Sequence, residues 1–251
     1  MQQALFNTLI AWADDQLVLG HRLSEWTGKA HALEEELALA NMGLDLVGQA
    51  RNLYQYAAEV EGLGRDEDQL AYLRTEREFR NLLLLERPNT DFAHTVLRQF
   101  YYAAFMQRYW AALTHSTDPQ IAAIAAKATV EMQYHRRHSA EWVVRLGDGT
   151  DESARRMAEA VDSLHRYTDE LFDCNADLSA LVEAGVAVAP STIRADWQAD
   201  IESVFTRATL ALPDADVPGQ RGGRAGLHTE FLGFLLAEMQ YLQRSHPGQT
   251  W

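Results

Sequence analysis

The residues of this 251-residue chain best suited to chemistry are a few carboxylates and imidazoles set in long apolar stretches of helical period. The most suggestive is Glu131-Met-Gln-Tyr-His135, and a second run reads Asp45-Leu46-Val47-Gly48-Gln49. Helix bundles build two-metal centres from one Glu on each of two helices and a Glu-x-x-His on each of the other two. That spacing places Glu and His on one face, so both can reach the same ion. Carboxylates with imidazole suit iron or manganese and leave positions open for dioxygen.

The sequence departs from that recipe. No Glu-x-x-His occurs in it. Glu131 and His135 share a side of a helix, but the apolar stripe runs through Met132 and His135, and Glu131 is rotated from it by about 100°. In the other run Leu46 and Gln49 hold the stripe positions; leucine cannot bind a metal and an amide is a weak neutral ligand. Between Asp91 and Asp118 there is no carboxylate at all. Glu25, Glu34, Glu35, Glu36 and Glu59 fall near helix ends or off the stripes, as solvated or capping charges do. His135 reads most simply as a core histidine bonded to a neighbour, and His21 and His138 as surface or rim residues. The runner-up reading is an altered ligand set of Glu36, Asp45, Glu131 and His135.

Two other features could carry chemistry. The run Gly-Gln-Arg-Gly-Gly-Arg at 219–224 could place Arg221 and Arg224 on a phosphate, such as that of a CoA ester, though a connecting loop is the plainer reading. Cys174 has no base assigned to it by sequence and is read as structural. Nucleophile-elbow, phosphate-loop and dinucleotide motifs are absent.

The elements that must position these residues are helices. Apolar periodicity predicts long ones over about 4–26, 32–61, 89–115 and 119–146, with Asn89 or Thr90 and Thr117 or Asp118 as N-caps and Pro119 in the first turn. A shorter helical stretch is expected over 66–86, a fifth helix over 152–172 capped by Thr150 or Asp151, a less regular run over 176–190, and helices over 192–206 and 227–244. A Gly/Pro-rich loop separates the last two at 212–226. No alternating strand pattern appears. The expectation is one all-α domain over 1–251, a four-helix bundle (about 4–146) with additional C-terminal helices (about 150–251). Among exposed aromatics, Tyr101, Tyr102, Tyr109 and Trp110 are candidates for a docking surface, with core packing the alternative.

Composition narrows the function further. With 22 Lys and Arg against 36 Asp and Glu the net charge is −14, and no basic stripe for nucleic acid is visible. The single cysteine rules out an internal disulfide and suits a reducing cytoplasm. No run is apolar enough to span a membrane, and the N-terminus lacks a basic n-region.

Several stretches carry a family resemblance: LVLGHRLSEW (17–26), LEEELALANMGLDLVGQARNLYQYAAE (33–59), NLLLLERPN (81–89), FDCNAD (172–177) and GLHTEFLGFLLAEMQYLQRSHPGQTW (226–251). In these the chain resembles the C subunits of bacterial phenylacetyl-CoA epoxidase, the ring-1,2-phenylacetyl-CoA oxygenase of phenylacetate degradation. The resemblance implies a ferritin-like fold and a non-catalytic subunit without a cofactor of its own. It would pair with a homologous catalytic A subunit that carries the di-iron site. Further small subunits and a reductase complete such an oxygen- and NADPH-dependent complex, and self-association is possible beside it. Carried across, the A subunit's ligand pattern falls on Gln16, Leu46, Gln49, Ala103, Met132 and His135. Only the last is a strong metal ligand. Burying four uncompensated carboxylates is costly, and neutral residues at these stations remove that cost.

Overall fold

A computed structural model describes residues 1–213 and 218–249. Among these there are helices and turns but no strand. The chain forms two compact units, one of residues 1–88 with 221–251, the other of residues 89–220.

The first unit is built on α1 (Gln2–Ser24) and α2 (Leu33–Glu61). They run antiparallel: Gln2 near the start of α1 donates to the Val60 carbonyl at 2.6 Å, while Gly20 lies against Gly43 and Val47. Small residues set that approach. A Cβ on Gly20 would come within 3.2 Å of the Gly43 carbonyl oxygen, and one on Gly43 within 3.1 Å of Ser24 Oγ. The 66–86 stretch is broken rather than one helix. It contains α3 (Glu67–Tyr72), a 3₁₀ turn (Glu76–Glu78) and the short α4 (Leu83–Glu86). Two reciprocal caps divide it: Asp66 with Gln69, and Thr75 with Glu78. Near the C-terminus, α10 (Glu230–Met239) and α11 (Tyr241–Ser245) replace the single helix expected over 227–244.

The second unit is built on α5 (Phe92–Leu113) and α6 (Pro119–Gly147). These too are antiparallel, since Phe92 packs edge-on to Trp142 at 5.0 Å and Gln99 meets His135. Asp91, not Asn89 or Thr90, caps α5 by accepting from the His94 amide at 2.9 Å. Asp118 caps α6, with Pro119 in the first turn as expected. The fifth helix ends earlier than its pattern suggests: α7 (Asp151–Leu164) passes into 3₁₀ geometry over His165–Phe172. The less regular run contains α8 (Ala176–Glu183), capped by Asn175. The last helix of this unit is α9 (Arg194–Arg207). Part of the loop expected over 212–226 falls at 214–217, outside the described residues.

Tyr101, Tyr102, Tyr109 and Trp110 are all at most 1% exposed, so they are core residues and not a docking surface. They lie inside because α5 is covered by α6, α7 and α9 on several sides. Trp197 donates its indole N–H to the Tyr101 carbonyl at 3.0 Å, and Tyr109 donates to the Val188 carbonyl at 3.1 Å. The second bond satisfies the Tyr109 hydroxyl, and the Tyr101 hydroxyl meets His165 Nδ1 at 3.1 Å, so these polar tips, which make such aromatics ambiguous from sequence, have partners inside.

Candidate functional site

The six stations of the expected vestigial centre are divided between the units. Gln16, Leu46 and Gln49 belong to the first, and Ala103, Met132 and His135 to the second. Every one is at most 2% exposed. In the first unit Leu46 and Gln49 stand one turn apart on α2. In the second, Met132 and His135 stand one turn apart on α6. Gln99 Nε2 donates to His135 Nδ1 at 3.1 Å. An amide nitrogen only donates, so Nδ1 is the accepting nitrogen and its lone pair is engaged. The set therefore holds two amides, a thioether, one engaged imidazole and no carboxylate, which does not fit a di-iron carboxylate centre.

The altered ligand set fares no better. Glu36, Asp45 and Glu131 are half-buried while His135 is fully buried. Glu131 pairs along its own helix with Lys127 at 3.5 Å. Among the described residues no group of three or more His, Cys, Asp or Glu is placed to hold a metal ion.

The charged residues that are buried lie elsewhere, in the first unit. Asp14 and Asp15 of α1 and Glu86 of α4 are at most 1% exposed. Asp14 accepts from both terminal nitrogens of Arg74, from the Tyr54 hydroxyl and from the Arg80 amide. Asp15 accepts from Arg224 at 3.0 and 2.6 Å and from the Leu82 amide at 2.8 Å. Glu86 accepts from Asn81 at 2.9 Å, from His228 at 2.8 Å and from the Thr229 amide. Three carboxylates thus face three cations, which meets the requirement that buried charges be paired and hydrogen-bonded.

Electrostatics follows the same contacts. Burial pushes the Asp15 carboxyl up to about 6, against the lowering pull of Arg224 and the Leu82 amide. Burial also raises the Tyr54 phenol well above its ordinary value, and the Asp14 charge adds to it. For His228 burial acts downward, but its bonds to Glu86 and to the Phe79 carbonyl outweigh it and raise the pKa. Both His228 nitrogens face oxygens, Glu86 at 2.8 Å and that carbonyl at 3.0 Å, so in its protonated form the ring donates to both.

This network ties 221–245 onto α1, α3 and α4. Arg224 also donates to the Ala11 and Arg80 carbonyls, Arg22 to the Glu86 and Phe231 carbonyls, and Gln240 to the Ala71 and Arg74 carbonyls. Arg224 is therefore turned inward onto Asp15 rather than outward to a phosphate, which corrects the phosphate-contact reading for that residue. Arg221 is exposed. Sequence reasoning passed over Asp14 and Asp15. The signal was there: two adjacent carboxylates interrupt an otherwise apolar run, Ala11-Trp-Ala-Asp-Asp-Gln-Leu-Val-Leu, on a helix covered all round from Trp12 to Gly20.

Two antiparallel pairs of long helices with neutral stations in their interiors define an all-α, ferritin-like protein without the carboxylate set of a di-iron enzyme. No helix among the described residues is long and apolar enough to cross a membrane. A family model described as "Phenylacetic acid catabolic protein" matches residues 1–251, and the chain belongs to that family. It is 52% identical over 238 residues to the C subunit of the 1,2-phenylacetyl-CoA epoxidase of Escherichia coli (strain K12), with 95% of each chain covered.

Proposed function

We propose that this chain is a structural, non-catalytic subunit of a 1,2-phenylacetyl-CoA epoxidase, acting in the cytoplasm in aerobic phenylacetate catabolism. It docks onto the homologous di-iron A subunit and keeps it folded and active, within an oxygen- and NADPH-dependent complex that includes small subunits and a reductase. The observation that carries the non-catalytic role is the donor set of the six stations: no carboxylate and one engaged histidine, all buried. The likeness to the C subunit of the Escherichia coli epoxidase supplies the complex. Neutral residues at these stations stay packed without metal, as a scaffold requires.

The test has two arms. The chain purified alone is expected to hold far less than stoichiometric iron and to turn over no phenylacetyl-CoA. Co-expressed with a candidate A subunit, it is expected to co-purify with it and to raise its soluble yield and epoxidase activity. Tightly bound iron near stoichiometry in the isolated chain would overturn the scaffold role in favour of an enzyme with an altered ligand set.

A further inference from the structure

The outward face of α2 has a pattern that the rest of its own unit does not explain. Leu33, Leu37 and Leu44 are 68, 56 and 70% exposed. With Asn41 and Gly48 they recur at intervals of three and four residues, the spacing that keeps a helical stripe on one side. Scattered exposed leucines are ordinary, but an ordered stripe of them on a long helix is a packing surface without its counterpart.

Gly48 is the second and independent observation. Glycine weakens a helix interior relative to alanine, so its presence there usually marks a close approach. On the opposite side of the same helix Gly43 has such a reason, since Gly20 and Ser24 of α1 press against it. At Gly48 an added Cβ would meet no atom of the described residues within 4 Å. The notch is open, and it lies on the leucine side.

Charge completes the pattern. Glu34 is exposed at one end of the stripe. Arg51 lies at the other, its side chain 67% exposed though in contact with Glu67 at 3.1 Å. Laid antiparallel on an identical helix, with the two-fold axis between Met42 and Gly43, the stripe matches itself. Leu37 falls over Gly48 of the second copy, Asn41 over Leu44, and Glu34 over Arg51. Leu37 projects into the gap at Gly48, Leu44 meets the polar Asn41, and Glu34 meets its opposite charge in Arg51, which is the self-complementarity an isologous interface needs.

We propose that α2 pairs antiparallel with α2 of a second copy of this chain, Leu37 of each seating over Gly48 of the other. This does not rest on the epoxidase role.

Sedimentation of the full chain over a concentration series is expected to show a dimer. Gly48→Leu fills the notch from a site with free space in its own chain, so the protein should fold while its dimer dissociation constant rises about tenfold or more. Gly48→Ala should raise the melting point of the monomer, by helix propensity, while weakening the dimer. In a Cys174→Ser background, Leu37→Cys with Gly48→Cys should oxidise to a covalent dimer. Eleven residues of helix, about 16 Å, prevent a bridge within one chain. A chain monomeric at every concentration overturns the proposal, as does a dimer indifferent to Gly48→Leu that fails to cross-link. If the isolated chain is monomeric and Gly48→Leu instead abolishes co-purification of another epoxidase component, the stripe belongs to that component and self-pairing is rejected.

Discussion

Arg224 and Asp15 form a two-point ion pair across more than 200 residues of sequence, at 3.0 and 2.6 Å, with the carboxylate side chain 2% exposed. Removing the cation leaves a buried charge whose remaining hydrogen-bond donor among the described residues is the Leu82 amide. Arg224→Met is expected to destabilise the fold by about 3 kcal/mol, the lower end for breaking a buried pair, because the arginine side chain is 24% exposed. Arg221→Ala, at an exposed site, should stay within about 0.5 kcal/mol. Urea unfolding of the two variants reads the difference. Equal effects would show that the pair is not what fastens this segment. Arg221→Ala is also expected to leave CoA-ester binding by an assembled epoxidase unchanged.

The same network should shape stability against pH. The Asp15 carboxyl titrates near 6 when folded, against 3.8 as its ordinary value. Over that interval the folded chain holds more protons than the unfolded chain, so this group's contribution falls as pH rises. His228 is also raised above 6.5, so its contribution is complete below that value and is lost as pH climbs through the higher folded pKa. Both slopes have the same sign. Asp15→Asn is expected to remove the decline between about pH 4 and 6, and His228→Gln the decline above 6.5. Urea midpoints measured across pH for the three proteins check this. An unchanged profile in Asp15→Asn would place the titration elsewhere.

The long helices were legible because their stripes are long and their breakers unambiguous: Gly62 takes a left-handed conformation just after α2, and Asp118-Pro119 opens α6. The 66–86 run is broken because Asp66 and Thr75 each open a new short element with a reciprocal cap, and Arg74 between them turns inward onto Asp14, a contact some 60 residues away that no local window contains. The neutral stations could be read from residue type alone, since leucine and alanine bind no metal in any fold. The buried salt-bridge network could not be read that way, because each partner looks like an ordinary surface charge until its distant counterpart is known.

Close backbone approach at the start of the C-terminal segment gives a sharper test of packing. A Cβ on Gly223 would lie 2.0 Å from the Asn81 carbonyl oxygen, a fixed backbone atom that cannot swing aside. Gly223→Ala is expected to cost about 3 kcal/mol, the upper part of the range for overpacking. Gly20→Ala, where the nearest atoms are 3.1 and 3.2 Å away and one belongs to the Val47 side chain, should cost about 1 kcal/mol. Thermal unfolding that ranks Gly20→Ala as the worse of the two would contradict the geometry around residues 221–226.

Reinstalling ligands on α2 tests whether the interior tolerates a metal site at all. Leu46→Glu with Gln49→His restores the carboxylate and imidazole that the catalytic pattern places there, at positions 0 and 2% exposed. At a position 0% exposed the new carboxyl must either stay protonated or lie buried and charged, so a loss of about 3 kcal/mol or more is expected. A metal bound only by the folded form would add stability in proportion to the logarithm of its concentration over its dissociation constant. Two ligands on one helix are too few for tight binding, and ferrous iron should not restore the lost stability. The unsubstituted chain should melt at the same temperature with and without a chelator. Should the double variant recover fully on adding iron, or the unsubstituted chain melt lower once chelated, the interior would hold donors beyond those assigned, and the scaffold role would fail.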